Sequence, residues 1–255
     1  MTGPRPDDAV GPAPADDPAG TGRAGDAAVA ALADLVAVMD RLRSPGGCPW
    51  DAEQTHTSLL PYAVEEVFEV VEAVETGDRA ALREELGDLL LQVVFHARVA
   101  AEDPDEPFGI GEVAAGITAK LRRRHPHVFG DVEVSGAHEV HANWERIKKA
   151  EKARESALDG IPAGMPALAR AEKVAGRASR AGLPVADVAA ALTAVPVAGS
   201  AGTGARPDEP SRGVGLALLS VALEAQAAGI DAEAALRGVV RELESALRAT
   251  ESRPA

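Results

Sequence analysis

Residues 64–96 read Val64-Glu65-Glu66-Val67-Phe68-Glu69-Val70-Val71-Glu72-Ala73-Val74-Glu75-Thr76-Gly77-Asp78-Arg79-Ala80-Ala81-Leu82-Arg83-Glu84-Glu85-Leu86-Gly87-Asp88-Leu89-Leu90-Leu91-Gln92-Val93-Val94-Phe95-His96. Gly77-Asp78 breaks this stretch into two helical patterns. Residues three or four apart share a helix face, so Glu65 aligns with Glu69, Glu66 neighbours Glu69, and Glu85 neighbours Asp88 on the following helix. Packed antiparallel, two such helices point four or five carboxylates into one cleft.

The two helices differ in what surrounds their acids. Val64, Val67, Phe68, Val71 and Val74 form one stripe of the first, with Glu65, Glu66, Glu69 and Glu72 opposite, which is ordinary amphipathicity. Leu82, Leu86, Leu89, Leu90, Leu91, Val93, Val94 and Phe95 cover nearly the whole second helix, leaving a narrow strip of Glu85, Asp88, Gln92 and His96. A helix apolar almost all round is expected to be buried. At about 5 Å and an effective dielectric near 20, each like-charge pair in such a strip costs about 3 kcal/mol, which protons or cations must offset. Carboxylates without Cys or paired His suit hard Mg²⁺, Mn²⁺ or Ca²⁺ rather than zinc, and Mg²⁺ bridges a few carboxylates to substrate phosphates.

Outward from this hairpin, the chain reads as all-α. Of its 255 residues 46% are hydrophobic but only 3% aromatic, and no stretch alternates with period two between hairpin turns. Residues 1–25, rich in Pro, Gly, Asp and Ala, are expected to be a disordered tail. Helices are expected at about 26–43, 58–76, 79–101, 111–124 and 138–156, with the Cys48-Pro49-Trp50-Asp51 segment as a loop. A Gly160–Pro166 loop, an Ala-rich helix to about 180, a flexible linker over 198–212 and helices at about 213–228 and 231–250 complete the chain.

The net charge of −14 disfavours nucleic-acid polymers and anionic membranes as partners, and favours a small anionic ligand chelated by metal. One cysteine, Cys48, forms no intramolecular disulfide, and neither a signal segment nor a membrane span is evident, so a cytoplasmic location is expected. The densest positive cluster is Lys120-Leu121-Arg122-Arg123-Arg124-His125, in which Lys120 and Arg124 share a face. Such cations complement a helix C-terminus, and beside a metal–carboxylate cleft they are candidate phosphate clamps. Trp144 and Lys148 repeat the four-residue spacing: a core Trp, or a base-stacking ring beside a phosphate-binding cation.

Glu65 to Asp88, preceded by Gly47-Cys48-Pro49-Trp50-Asp51-x-x-Gln54-Thr55-His56 and followed by Arg123-Arg124-His125-Pro126-His127-Val128-Phe129, resembles the MazG family of nucleoside triphosphate pyrophosphohydrolases from about Leu32 to Gly182. The resemblance implies an all-α helical bundle assembled through homodimerisation, with Mg²⁺-dependent hydrolysis of a nucleoside triphosphate to monophosphate and pyrophosphate. It implies Glu66, Glu69, Glu85 and Asp88 as metal ligands, Glu65 as an outer ligand or base, and Lys120, Arg124, Trp144 and Lys148 as nucleotide-binding residues. A catalytic domain over 26–182 is expected on this basis. A non-catalytic metal- and nucleotide-binding module, or an enzyme narrowed to one nucleotide such as dUTP, are the alternatives.

Residues 183–255 resemble a degenerate second copy. Gly213 and Leu216 stand where both acidic ligands of such a copy would fall, and Glu242 and Ala246 replace its Lys and Arg. Apolar periodicity persists in Leu216, Leu219, Val221, Leu223, Leu236, Val240, Leu243 and Leu247, as a packing element requires.

Overall fold

The computed structural model describes residues 18–151, 155–194 and 209–251, and every regular element among them is a helix. In chain order these are α1 (Pro18–Arg43), α2 (Pro49–Glu53), α3 (His56–Thr76), α4 (Arg79–Ala100), α5 (Ile110–Arg124), α6 (Pro126–Phe129), α7 (Ala137–Glu151), α8 (Ala167–Arg180), α9 (Val185–Ala194), α10 (Glu209–Ala228) and α11 (Ala232–Glu251). The chain divides into two compact units, Met1–Trp144 and Glu145–Ala255, the division falling inside the stretch expected to form one catalytic domain.

The first unit is organised by the α3–α4 hairpin. Thr55 caps α3, its Oγ1 accepting from the Ser58 amide (3.2 Å) while Ser58 Oγ accepts from the Thr55 amide (2.9 Å), a reciprocal box that satisfies two otherwise orphaned donors. Gln54 locks α2 to this start, donating to the Trp50 carbonyl and accepting from Ser58 Oγ. Gly77, at φ 72°, ends α3 in the left-handed conformation that favours glycine, and Asp78 Oδ1 caps α4 by accepting from the Ala80 and Ala81 amides. A two-residue turn so closed forces the helices antiparallel.

Met39 of α1, Leu59 of α3, and Val94 and Phe95 of α4 form the buried core, with Leu35, Val36, Leu90, Leu91, Val99 and Ile110 packed around it. Arg43 and Arg98 reinforce the α1–α4 contact. Arg43 makes two 2.9 Å bonds to Glu102, and Arg98 bridges Asp40 and Glu102 at 2.7 Å each. Arg43 also holds the Glu102 carboxyl below its usual range.

Several expectations are corrected. Helix α1 begins at Pro18 rather than Asp26, so Pro18–Gly25 of the expected tail are helical, whereas residues 1–17 lie outside the described residues. Extending an existing helix adds one hydrogen bond per residue. The Cys48–Asp51 segment contains a short helix with Pro49 in its first turn, where lacking N–H loses no bond. Helix α7 (Ala137–Glu151) does not include Ser156, with residues 152–154 outside the described residues, α9 is an unanticipated ten-residue helix, and residues 209–212 of the expected linker belong to α10. Residues 198–208 of that linker lie outside the described residues.

Burial differs more consequentially. Helix α4 is not covered all round: Gln92, Val94, Phe95, Ala97 and Ala100 are buried, but Leu86 and Val93 are exposed. On α3 the acids Glu66 and Glu69 interact with α4 carboxylates, while Val64, Val67, Phe68 and Val74 are exposed. Glu66, Glu85 and Asp88 are therefore less exposed than several valines of the same hairpin.

In the second unit, α8 packs on α10 through a small-residue face, with Ala175, Gly176 and Ala178 buried. Glu172 of α8 caps α11, accepting from the Ala232 amide at 2.7 Å. Among the described residues, no single helix is long and apolar enough to cross a membrane.

Candidate metal centre

Three of the expected ligands converge. One oxygen each of Glu66 on α3 and of Glu85 and Asp88 on α4 lie within 4.8 Å of one another, and all three side chains are half-buried. The antiparallel register explains the meeting: Glu66 is eleven residues before Gly77, and Asp88 is eleven after it. Glu69, one turn closer to the Gly77 turn, is exposed yet near enough to Glu66 and Glu85 to raise both carboxyls, forming the rim.

Electrostatics mark these acids as crowded. Burial, then Asp88 and Glu69, raises the Glu66 carboxyl above its ordinary 4.5. Burial, then Glu69, Glu84 and Asp88, does the same to Glu85. Each neighbour opposes a further negative charge, so a cation that neutralises several at once is favoured. An oxygen-only donor set fits Mg²⁺ or Mn²⁺. Glu65 is exposed and outside the three-carboxylate group. Glu84 was not singled out from the sequence, although its place beside Glu85 was the available signal.

The polar strip of α4 continues past the acids. Gln92, one turn beyond Asp88, is buried with its Oε1 unpartnered, and His96 follows one turn later. His96 Nδ1 lies 2.8 Å from His56 Nδ1, the rings 6° from parallel with centroids 5.1 Å apart. With each ring nitrogen about 1.2 Å from its centroid, that spacing is a head-on contact in which one proton is shared. Burial, then the His56 charge, lowers the His96 pKa. This clasp between the start of α3 and the end of α4 was not anticipated.

Among the expected nucleotide residues, Lys120 and Arg124 lie one turn apart on α5 and are half-buried. Trp144 of α7 meets Arg124 there: Arg124 Cζ is 6.0 Å from its ring centroid, and His125 packs against it edge-to-face at 5.0 Å. Lys148 falls in the second unit, beyond the division of the chain. His125 lies within the Arg123–Phe129 motif.

The MazG nucleotide pyrophosphohydrolase domain matches residues 54–129, which hold the whole α3–α4 centre and both α5 cations. An uncharacterized 26.1 kDa protein of Streptomyces cacaoi, from the blaB 3′ region, is 48% identical over 223 residues, covering 87% of this chain and 83% of that protein. The chain belongs to the MazG family. Two relatives carry the printed name nucleoside triphosphate pyrophosphohydrolase. The Mycolicibacterium smegmatis protein is 48% identical over 169 residues, 65% of this chain and 51% of its own length. The Escherichia coli K12 protein is 49% identical over 152 residues, 58% of this chain and 57% of its own. The chain thus spans about half the length of these named MazG relatives.

Proposed function

We propose that this chain hydrolyses nucleoside triphosphates to the monophosphate and pyrophosphate, with Mg²⁺ as the preferred ion and Mn²⁺ as a substitute. The observation that carries the reading is the convergence of half-buried Glu66, Glu85 and Asp88 within 4.8 Å. The names of the two relatives above support the reaction class. Glu66, Glu69, Glu85 and Asp88 would hold the metal. When bound, it would neutralise the triphosphate and lower the pKa of a coordinated water. Glu65, exposed beside Glu66, would accept a proton from the attacking water or orient it. Lys120 and Arg124 would bind phosphate oxygens, Trp144 would offer the base a stacking surface, and Lys148 would add a cation.

The functional domain in this reading is 26–182, and residues 183–255 form a non-catalytic second copy that serves packing. Homodimerisation is supported by the apolar residues that the hairpin leaves exposed, among them Phe68 and Val93 at 45% and 42% together with Val64, Val67 and Leu86. The net charge of −14 supports a chelated nucleotide over a nucleic-acid polymer or membrane as partner, and such a substrate fits a cytoplasmic location. Phosphorus NMR of the purified chain with Mg²⁺ and a panel of canonical, deoxy and damaged triphosphates tests the reading. Monophosphate with pyrophosphate is expected; orthophosphate as primary product, or binding without turnover, refutes it.

A further inference from the structure

The expected nucleotide-binding side chains of the first unit sit on different elements, Lys120 and Arg124 on α5 and Trp144 on α7, so their separation depends on what joins those helices. His125 occupies that junction. It is the C-terminal cap of α5 and the residue before α6, and its Nδ1 donates to the Leu121 carbonyl at 2.7 Å. That bond fixes the ring's orientation and leaves Nε2 outside it. The ring packs against Trp144 edge-to-face, centroids 5.0 Å apart at 83°, while Arg124 approaches the indole at 6.0 Å. His127 crowds the ring at 5.6 Å. The backbone strengthens the fixture, because the Val128 and Phe129 amides donate to the His125 carbonyl at 2.9 and 3.0 Å.

We propose that His125 is a positioning residue that holds the Trp144 indole beside Arg124, so that a nucleotide's base and its phosphates are engaged together. The proposal rests on the reading of Trp144 and Arg124 as nucleotide contacts. The ring acts through shape, as an aromatic edge anchored to Leu121, and touches no reacting atom.

Trp50→Phe supplies the reporter, since Trp50 and Trp144 are the two tryptophans of the chain. In that background, without metal or nucleotide, His125→Ala should raise acrylamide quenching of Trp144 with the circular dichroism unchanged. His125→Phe, which keeps an edge-to-face ring, should return quenching toward the parent value. With Mg²⁺ and a nucleoside triphosphate, His125→Ala should raise KM about three- to tenfold, with a smaller change in kcat, and His125→Phe should recover part of the loss. Competitive inhibition by inorganic tripolyphosphate, which has no base, should be far less affected than KM. Quenching indifferent to His125→Ala would overturn the contact. A KM raised by Trp144→Ala but untouched by His125→Ala would overturn the positioning alone. A KM unmoved by Trp144→Ala would refute the stacking surface itself, and with it the role given to His125.

Discussion

Asp88→Asn is predicted to stabilise the metal-free chain while removing its response to Mg²⁺. The carboxylate oxygens of Asp88 and Glu66 lie within 4.8 Å. Two unit charges at that distance repel by about 0.9 kcal/mol in water and about 3.5 kcal/mol at an effective dielectric of 20. The two groups are half-buried, and solvent screening leaves a relief of about 1–2 kcal/mol when an amide of the same shape replaces the acid. For a chain of this size that corresponds to a melting temperature higher by about 3–6 °C in EDTA. Mg²⁺ at a hundredfold excess over its Kd should add about 2.7 kcal/mol to the parent protein, and little to Asp88→Asn. Differential scanning fluorimetry in EDTA and in a Mg²⁺ series measures both quantities. If Asp88→Asn melts lower than the parent in EDTA, mutual hydrogen bonding outweighs repulsion in the cluster, and the electrostatic case for a metal collapses.

Glu69→Gln should abolish Mg²⁺-dependent turnover with the circular dichroism spectrum intact, and turnover equal to the parent at limiting Mg²⁺ would remove the rim from the site. Leu59→Ala, which truncates a side chain only 1% exposed between α1 and α4, should cost about 3 kcal/mol in chemical denaturation. In EDTA the raised Glu66 and Glu85 contribute stability that is complete below 4.5 and lost as pH climbs through their folded values. The lowered His96 works oppositely, its contribution failing as pH drops below 6.5, so melts across pH should show a decline on raising pH above 4.5 that Mg²⁺ removes and an opposing decline on lowering pH below 6.5 that His96→Phe flattens. Phe68→Asp should shift the chain toward monomer in light scattering at micromolar concentration, and an unchanged mass would place any dimer contact elsewhere.

The hairpin was legible because its signals are local. Gly77-Asp78 announces a turn, four-residue spacing puts Glu66 with Glu69 and Glu85 with Asp88, and antiparallel pairing follows from so short a connection. Burial was less legible, since an apolar surface reads the same whether it faces its own core or something outside the chain. Phe68 and Val93 were therefore misjudged, while Met39, Leu35 and Val36 behaved as their helical spacing predicts. The histidine contacts stayed hidden for a different reason. His56 and His96 are 40 residues apart in sequence, and His125 and Trp144 are 19 apart. No periodicity links residues on separate helices; only the register of α3 on α4, or the path through α6, brings them together. Helix α9 escaped notice because ten mostly small residues carry little amphipathic signal.

The turn at Gly77-Asp78 has a meaning beyond joining two helices: it sets the phase of the ligands. One residue inserted into the first turn of α4 would rotate everything after it by about 100° relative to α3. Glu85 and Asp88 would swing off the face they share with Glu66, although every ligand would remain in the sequence at nearly its old spacing. Indels at this hairpin tip should thus be tolerated far less than the surface position of a turn suggests, and a homologue with a lengthened tip should have lost metal affinity before losing any carboxylate.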